Sequence, residues 1–163
     1  MIKKLLIKIS SVFWISPKLR AKLLNGRIGA VSQEVERINS NCYFCGDRIT
    51  IQKGVFINVF CKFFSHEQPG SEIEIGENVV IGMGVTIDTH THIIGKENRR
   101  ASRTVFNPVK ISDGCWIGAN SLILPGVSIG NGTIIGGGSV VNKDCAANCL
   151  YAGNPARKIK ELK

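Results

Sequence analysis

At 163 residues the chain is long enough for one domain with its own core, and 44% hydrophobic residues with 18 glycines exclude an intrinsically disordered chain. No apolar run is long enough to span a bilayer, and the charged start has no signal-peptide pattern, so neither segment is expected. The formal net charge of +9 favours anionic partners such as phosphates or acidic lipid headgroups, while no nucleic-acid-binding motif accompanies it.

The first element is an N-terminal amphipathic helical segment over residues 1–26. Ile2, Leu5, Leu6, Ile9, Val12 and Phe13 recur at three- and four-residue steps, and Lys3, Lys4 and Lys8 lie off that stripe. Ser16-Pro17 reads as the cap and first residue of a second short helix, and Asn25-Gly26 ends it. The apolar stripe is expected to pack on the rest of the domain or on a neighbouring subunit. A peripheral membrane contact through residues 1–24 is the functional alternative, since Lys18, Arg20, Lys22 and Arg27 continue the basic run without an acid.

From about residue 27 to 156 the pattern changes from helical period to period six. An aliphatic residue opens each hexad at Ile75, Ile81, Ile87, Ile111, Ile117, Ile123, Ile129, Ile135 and Val141, often followed by Gly. A small or β-branched residue recurs four positions later, at Val79, Val85, Ser121, Val127, Thr133 and Ser139. The pattern reaches back more weakly to Cys45. Period six fits a short strand and a tight corner, with Gly or Asn where the corner needs unusual backbone angles. Three such sides close a triangular coil, and coils stack at about 4.8 Å, which makes a parallel β-helix.

Two segments break the repeat. Residues 64–72, FSHEQPGSE, and an extruded loop at about 94–108, IGKENRRASRTVFNP, put polar residues and proline where inward positions are due. Loops on a rigid solenoid are where function usually sits. His66 lies in the first break, and His90 and His92 end the strand that feeds the second. His66 is expected to be a polar loop residue, with a loop that reaches the cleft from a neighbouring coil as the alternative. Arg99, Arg100 and Arg103 in the loop either grip an anionic acceptor or are simply solvated.

Cys42 and Cys45 form a C-x-x-C, but Cys145 and Cys149 are a poor second pair for zinc. The six cysteines, with Cys61 and Cys115, are expected to be small buried residues in a reducing cytoplasm. Residues 157–163 form a basic C-terminal tail.

The I-G-x-x-x-x hexads, the histidine before an extruded loop, VKISDGCWIGANSLILPGVSIGNGTIIGGGSVVNKD and YAGNPARKIKEL resemble the hexapeptide-repeat acyltransferases. The resemblance is closest to sugar O-acetyltransferases: those of galactosides and maltose, and those of capsule and lipopolysaccharide synthesis. It covers about residues 45–160. It implies an all-β, left-handed parallel β-helix, a homotrimer with sites between subunits, acetyl-CoA as co-substrate and no metal. By position it implies His92 as catalytic base; His90, two residues earlier and on the same side of a strand, is expected either to hydrogen-bond substrate or to position His92. Asn58 and Asp88 fall near the acceptor. Trp116, Ala119, Gly137, Asn142, Lys143 and Arg157 fall along the cofactor. The acceptor expected is a glycan or nucleotide-sugar hydroxyl, for a cytoplasmic enzyme at the inner face of the membrane that serves cell-surface polysaccharide synthesis.

Rival readings share the fold. Transfer to an amino sugar or an antibiotic keeps the donor and changes the acceptor. A γ-carbonic-anhydrase-like zinc enzyme needs three convergent histidines, and the one-residue gap between His90 and His92 does not resemble that spacing. A non-catalytic scaffold predicts no coenzyme A binding and leaves the G-N-P-A-R tail without a role.

Overall fold

The computed structural model describes residues 15–163, so the apolar stripe read over Ile2 to Phe13 lies outside the described residues. Helix α1 spans Pro17–Leu24, with Ser16 as its cap: Ser16 Oγ accepts from the Leu19 N–H at 3.3 Å. The helix ends at Asn25, whose N–H donates to the Ala21 carbonyl. Start and stop therefore fall where Ser16-Pro17 and Asn25-Gly26 place them.

The rest is a parallel β-solenoid of five full coils and the start of a sixth. The first coil is β1 (Gly29–Val31), β2 (Arg37–Ile38) and β3 (Tyr43–Cys45), and the second is β4 (Ile49–Ile51), β5 (Phe56–Ile57) and β6 (Lys62–Phe64). The third is β7 (Ile73–Ile75), β8 (Val80–Ile81) and β9 (Thr86–Asp88). An antiparallel hairpin follows, β10 (His90–Ile94) and β11 (Ala101–Phe106). Then come β12 (Val109–Ile111), β13 (Trp116–Ile117) and β14 (Leu122–Ile123), and β15 (Ser128–Ile129), β16 (Ile134–Ile135) and β17 (Val140–Val141). Cys145, bridged to Ile129, and β18 (Cys149–Gly153) open the last coil. Strand β19 (Ala156–Glu161) turns back antiparallel on β18, so most of the basic tail is an edge strand.

Each coil gives one strand to each of three faces. The first face is β1-β4-β7-β12-β15, the second β2-β5-β8-β13-β16-β18-β19 and the third β3-β6-β9-β14-β17. In-register stacking puts the hexad-opening residues in columns. Ile38, Ile57, Ile81, Ile117 and Ile135 make one, and Phe44, Phe63, Ile87, Ile123 and Val141 another, all buried. Phe44 and Phe63 stack flat with ring centroids 4.7 Å apart. Full burial of one such side chain contributes about 1.5–3 kcal/mol, so the repeat is also the core.

Corner positions carry the backbone strain that the Gly/Asn pattern predicts. Asn78 and Asn120 have φ of 56° and 57°, and Gly84 and Gly114 take the same left-handed position at 68°. Where the inward residue after a corner is polar, it satisfies a corner carbonyl of the next coil, as Thr133 and Ser121 show. Thr133 Oγ1 donates to the Ala146 carbonyl at 2.6 Å, and Ser121 Oγ to the Gly136 carbonyl at 3.1 Å. Cysteines serve at the same places. Cys61 donates to the Gly82 carbonyl at 3.2 Å and Cys115 to the Gly130 carbonyl at 3.1 Å. All six thiols are free; five are buried and Cys45 is half-buried.

Helix α1 closes the N-terminal end of the solenoid. Ala21 and Leu24 are buried against the first-coil core, and Arg20, at 2% exposure, goes in with them. Its Nη1 donates to the Ile38 carbonyl at 2.5 Å and its Nη2 to the Ile15 carbonyl at 2.9 Å. A repeat protein needs such a cap because its terminal coil has no further coil to cover it. Among the described residues, no helix is long and apolar enough to cross a membrane.

Candidate active site

The chain leaves the third coil at Thr89. This threonine is fully buried, and both its N–H and its Oγ1 donate to the Phe64 carbonyl of the coil before, at 3.2 and 2.9 Å. The next residue begins the hairpin. Its register pairs His90 with Phe106 and His92 with Thr104, with an irregularity between His92 and Ile94. The extruded loop is therefore an ordered two-stranded ribbon that starts at His90. Residues i and i+2 of a strand share a face, so His90 and His92 project from the same side at the base of the ribbon.

Each histidine is fixed through Nδ1. His90 Nδ1 lies 2.5 Å from Asp88 Oδ1, which also accepts the His90 backbone N–H at 3.0 Å. His92 Nδ1 lies 3.1 Å from the Ser102 carbonyl oxygen across the ribbon, with Thr104 Oγ1 at 3.5 Å. A carboxylate and a carbonyl only accept hydrogen bonds, so in the neutral rings Nδ1 carries the proton in both. In both rings Nε2 is then left with its lone pair. That is the tautomer a general base requires. The ring centroids are 6.5 Å apart and the planes cross at 79°.

His66 belongs to this cluster. Its ring stands edge-on to His90 at 4.9 Å and tilted against Phe106 at 5.0 Å. Among the described residues, its buried Nε2 has no hydrogen-bond partner. The contact favours the alternative of a loop that reaches the cleft from the neighbouring coil, and the register of the coils explains it. Phe63 pairs with Ile87 and Phe64 with Asp88, an offset of 24 residues from one coil to the next, and His66 precedes His90 by the same 24.

Burial lowers the His66 pKa below the ordinary imidazole value, the positive field of His90 lowers it further, and Asp88 opposes both. The unfolded chain then binds this proton more readily than the folded one. Stability on this account is full above the ordinary imidazole pKa, near 6.5, and declines as pH falls through it toward the depressed folded value. Thermal unfolding from pH 7 to pH 5 is expected to show a smaller drop in midpoint for His66→Gln than for the parent. An equal drop in both would mean that His66 does not titrate differently on folding.

Asn58 lies apart from the histidines, at the corner between β5 and β6, where its Oδ1 accepts the Val59 N–H at 2.8 Å. Asp88 is engaged with His90. The residues expected along the cofactor are spread over the later coils, with Trp116 on the second face and Asn142 and Lys143 just after β17 on the third. Trp116 stands outward on β13 with 54% of its surface exposed. Ala119 and Gly137 sit one above the other at successive corners, where the Gly138 N–H donates to the Ala119 carbonyl at 2.8 Å. Among the described residues the Ala119 N–H has no partner. Lys143 and Arg157 line one cavity together with Asp144, Tyr151, Ala156 and Lys158, and Asn142 is exposed beside Lys143. Sequence reasoning named Lys143 and Arg157 separately, and the return of β19 onto β18 brings them together. Among the described residues, no group of three or more His, Cys, Asp or Glu is arranged to hold a metal ion.

Residues 108–143 match the family described as bacterial transferase hexapeptide (six repeats), and residues 73–89 match the hexapeptide repeat of succinyl-transferase. A maltose O-acetyltransferase from Clostridium difficile 630 superposes with a TM-score of 0.75 at 31% identity, over 99% of this chain and 85% of that one. A hexapeptide-repeat acetyltransferase from Vibrio cholerae O1 biovar eltor, solved with acetyl-CoA, superposes with a TM-score of 0.66 at 36% identity, over 75% of this chain and 64% of that one. The galactoside O-acetyltransferase of Lactococcus lactis subsp. lactis (strain IL1403) is 32% identical over 135 residues, 76% of this chain and 63% of that protein. The chain spans about half the length of the curated relatives it matches, from 44% to 63% among the first three.

Proposed function

The chain belongs to the hexapeptide-repeat acyltransferases, and from that premise we propose that it transfers an acetyl group from acetyl-CoA to a sugar hydroxyl, with His92 as general base. The observation that carries the reading is His92 itself: Nδ1 held by the Ser102 carbonyl and Nε2 free, at the point where the coil opens. The acceptor hydroxyl oxygen attacks the thioester carbonyl carbon while His92 Nε2 takes its proton. The tetrahedral oxyanion needs a donor, and the unpartnered N–H of Ala119 is of the right kind. The C–S bond then breaks, and the imidazolium returns the proton to the departing thiolate. The products are an O-acetyl ester and free coenzyme A, with no residue of the chain acylated.

Lys143, Arg157 and Lys158 around one cavity suit the phosphates of coenzyme A, and Trp116 offers an apolar wall for its thioester arm. The Vibrio neighbour was solved with acetyl-CoA, which supports this donor. The names of the Clostridium and Lactococcus proteins support a sugar hydroxyl as acceptor.

A homotrimer is part of the proposal. Val80 and Trp116 stack outward on the second face, and Met83 and Phe60 are exposed at its corners, an apolar stripe that another copy would cover. The histidines and Trp116 lie on different parts of one chain, so a site between copies would join donor and acceptor halves. A cytoplasmic enzyme that modifies a cell-surface polysaccharide or lipopolysaccharide precursor, with its basic start on the inner membrane face, completes the reading.

The test is titration of the protein with acetyl-CoA by calorimetry, followed by thiol release in the presence of nucleotide sugars and oligosaccharides. Saturable binding and acceptor-dependent release are expected. Arg157→Glu is expected to weaken binding about tenfold, or ~1.4 kcal/mol. Absence of acetyl-CoA binding by the parent protein would overturn the donor assignment and favour a scaffold.

A further inference from the structure

Beside the proposed base stands a second imidazole in the same tautomer. His90 is about as well oriented as a histidine can be: a single carboxylate oxygen takes both its ring Nδ1–H and its backbone N–H. The side chains remain open at 34% exposure for His90 and 25% for Asp88, so the pair is not sealed into the core. The His66 ring stands edge-on to the His90 ring at 4.9 Å and is itself backed by Phe106 at 5.0 Å. A structural histidine satisfied by Asp88 needs no such orientation of its far nitrogen. An imidazole meant to accept a hydrogen bond from a ligand does.

Two neighbouring lone pairs constrain the ligand. A single hydroxyl has one hydrogen and can donate to only one of them. With ring centroids 6.5 Å apart and planes at 79°, each Nε2 is suited to its own donor. We infer that the acceptor presents two neighbouring hydroxyls on one ring, the reacting one to His92 and the other to His90, and that Asp88 is the positioning residue that keeps the His90 lone pair available. This inference rests on the O-acetyltransferase reading and narrows its substrate class to diol-bearing sugars.

The experiment compares acetyl transfer from acetyl-CoA to a methyl hexopyranoside that the parent protein acetylates, and to its analogues lacking one hydroxyl next to the acetylated position. For the parent protein, loss of the neighbouring hydroxyl is expected to lower kcat/KM about 10–100-fold, because a site polar group is left unpaired. For His90→Gln and His90→Phe the same loss is expected on the complete sugar, with little further loss on the deoxy sugar. Asp88→Asn is expected to behave likewise, mostly through KM. Thermal midpoints of the variants identify any that fails to fold, and either His90 variant alone suffices for the comparison.

Equal losses on complete and deoxy sugars in a folded His90 variant would overturn the inference and leave the acetyltransferase reading intact. So would a clear preference of the parent protein for an amino sugar, since one amine carries enough hydrogens to serve both rings. Failure of the parent protein to acetylate any sugar would overturn the reading itself, and the inference with it.

Discussion

Replacement of His92 by alanine is expected to lower kcat by about 10²–10⁴-fold, the range for loss of a positioned acid–base group, while acetyl-CoA binds as before. The separation of the two effects follows from the geometry. His92 is on the hairpin and exposed, held at Nδ1 by the Ser102 carbonyl and, at longer range, Thr104 Oγ1 of the facing strand. It is not among the residues that line the Lys143–Arg157 cavity. Nor does the substitution empty a packed space, so the fold should keep its stability. Single-turnover acetyl transfer measures the chemical step, and calorimetry measures the donor. If His92→Ala keeps its rate and a folded His90 variant loses it, the roles of the two imidazoles are exchanged, and the Asp88–His90 pair becomes the base.

The hexad pattern carries most of the fold into the sequence because one residue type must point inward at each step. Ile75, Ile81 and Ile87 read clearly, and their columns are the core. The first coil reads poorly for a physical reason: Val31, Val35, Cys42 and Phe44 fill the same inward places with residues of different shape. It is also capped by a helix and so is shaped for a different neighbour. At the site, the position of His92 is legible through the family resemblance, which implies a histidine five residues after Ile87. The company of His66 and His90 is not. It depends on a coil lengthened to 24 residues by the 64–72 interruption, which hides the alignment from any count in eighteens. The pairing of Asp88 with His90 depends on the turn out of β9 at Thr89, where the chain changes direction. Short-range pattern gives the columns, and long-range closure gives the constellations.

Arg20 shows the same division in the energetics. In the sequence it is one basic residue in a run of seven before Ile28, and it reads as a surface charge. In the fold it is buried at the end of the solenoid, and its guanidinium donates to the carbonyls of Ile38 and Ile15. Burial lowers its pKa, though its ordinary value is so high that it stays charged. Removal of the fork leaves those carbonyls short of donors in a place water does not easily enter. Arg20→Ala is therefore expected to destabilise the protein by about 2–4 kcal/mol, from the two acceptors left short of donors and from the packed volume the side chain vacates. Arg20→Met restores the volume without the donors and is expected to recover only part of the loss. Arg20→Lys keeps the charge but cannot serve both carbonyls from one ammonium in the same way, and is expected to fall between. Denaturant unfolding gives the totals, and native-state hydrogen exchange gives their location. In a stack where each coil contacts only its neighbours, the amides of β1 to β3 should lose protection first, with those of β12 to β17 unchanged. Full stability in Arg20→Met would show that volume, and not the hydrogen bonds, closes the end of the coil.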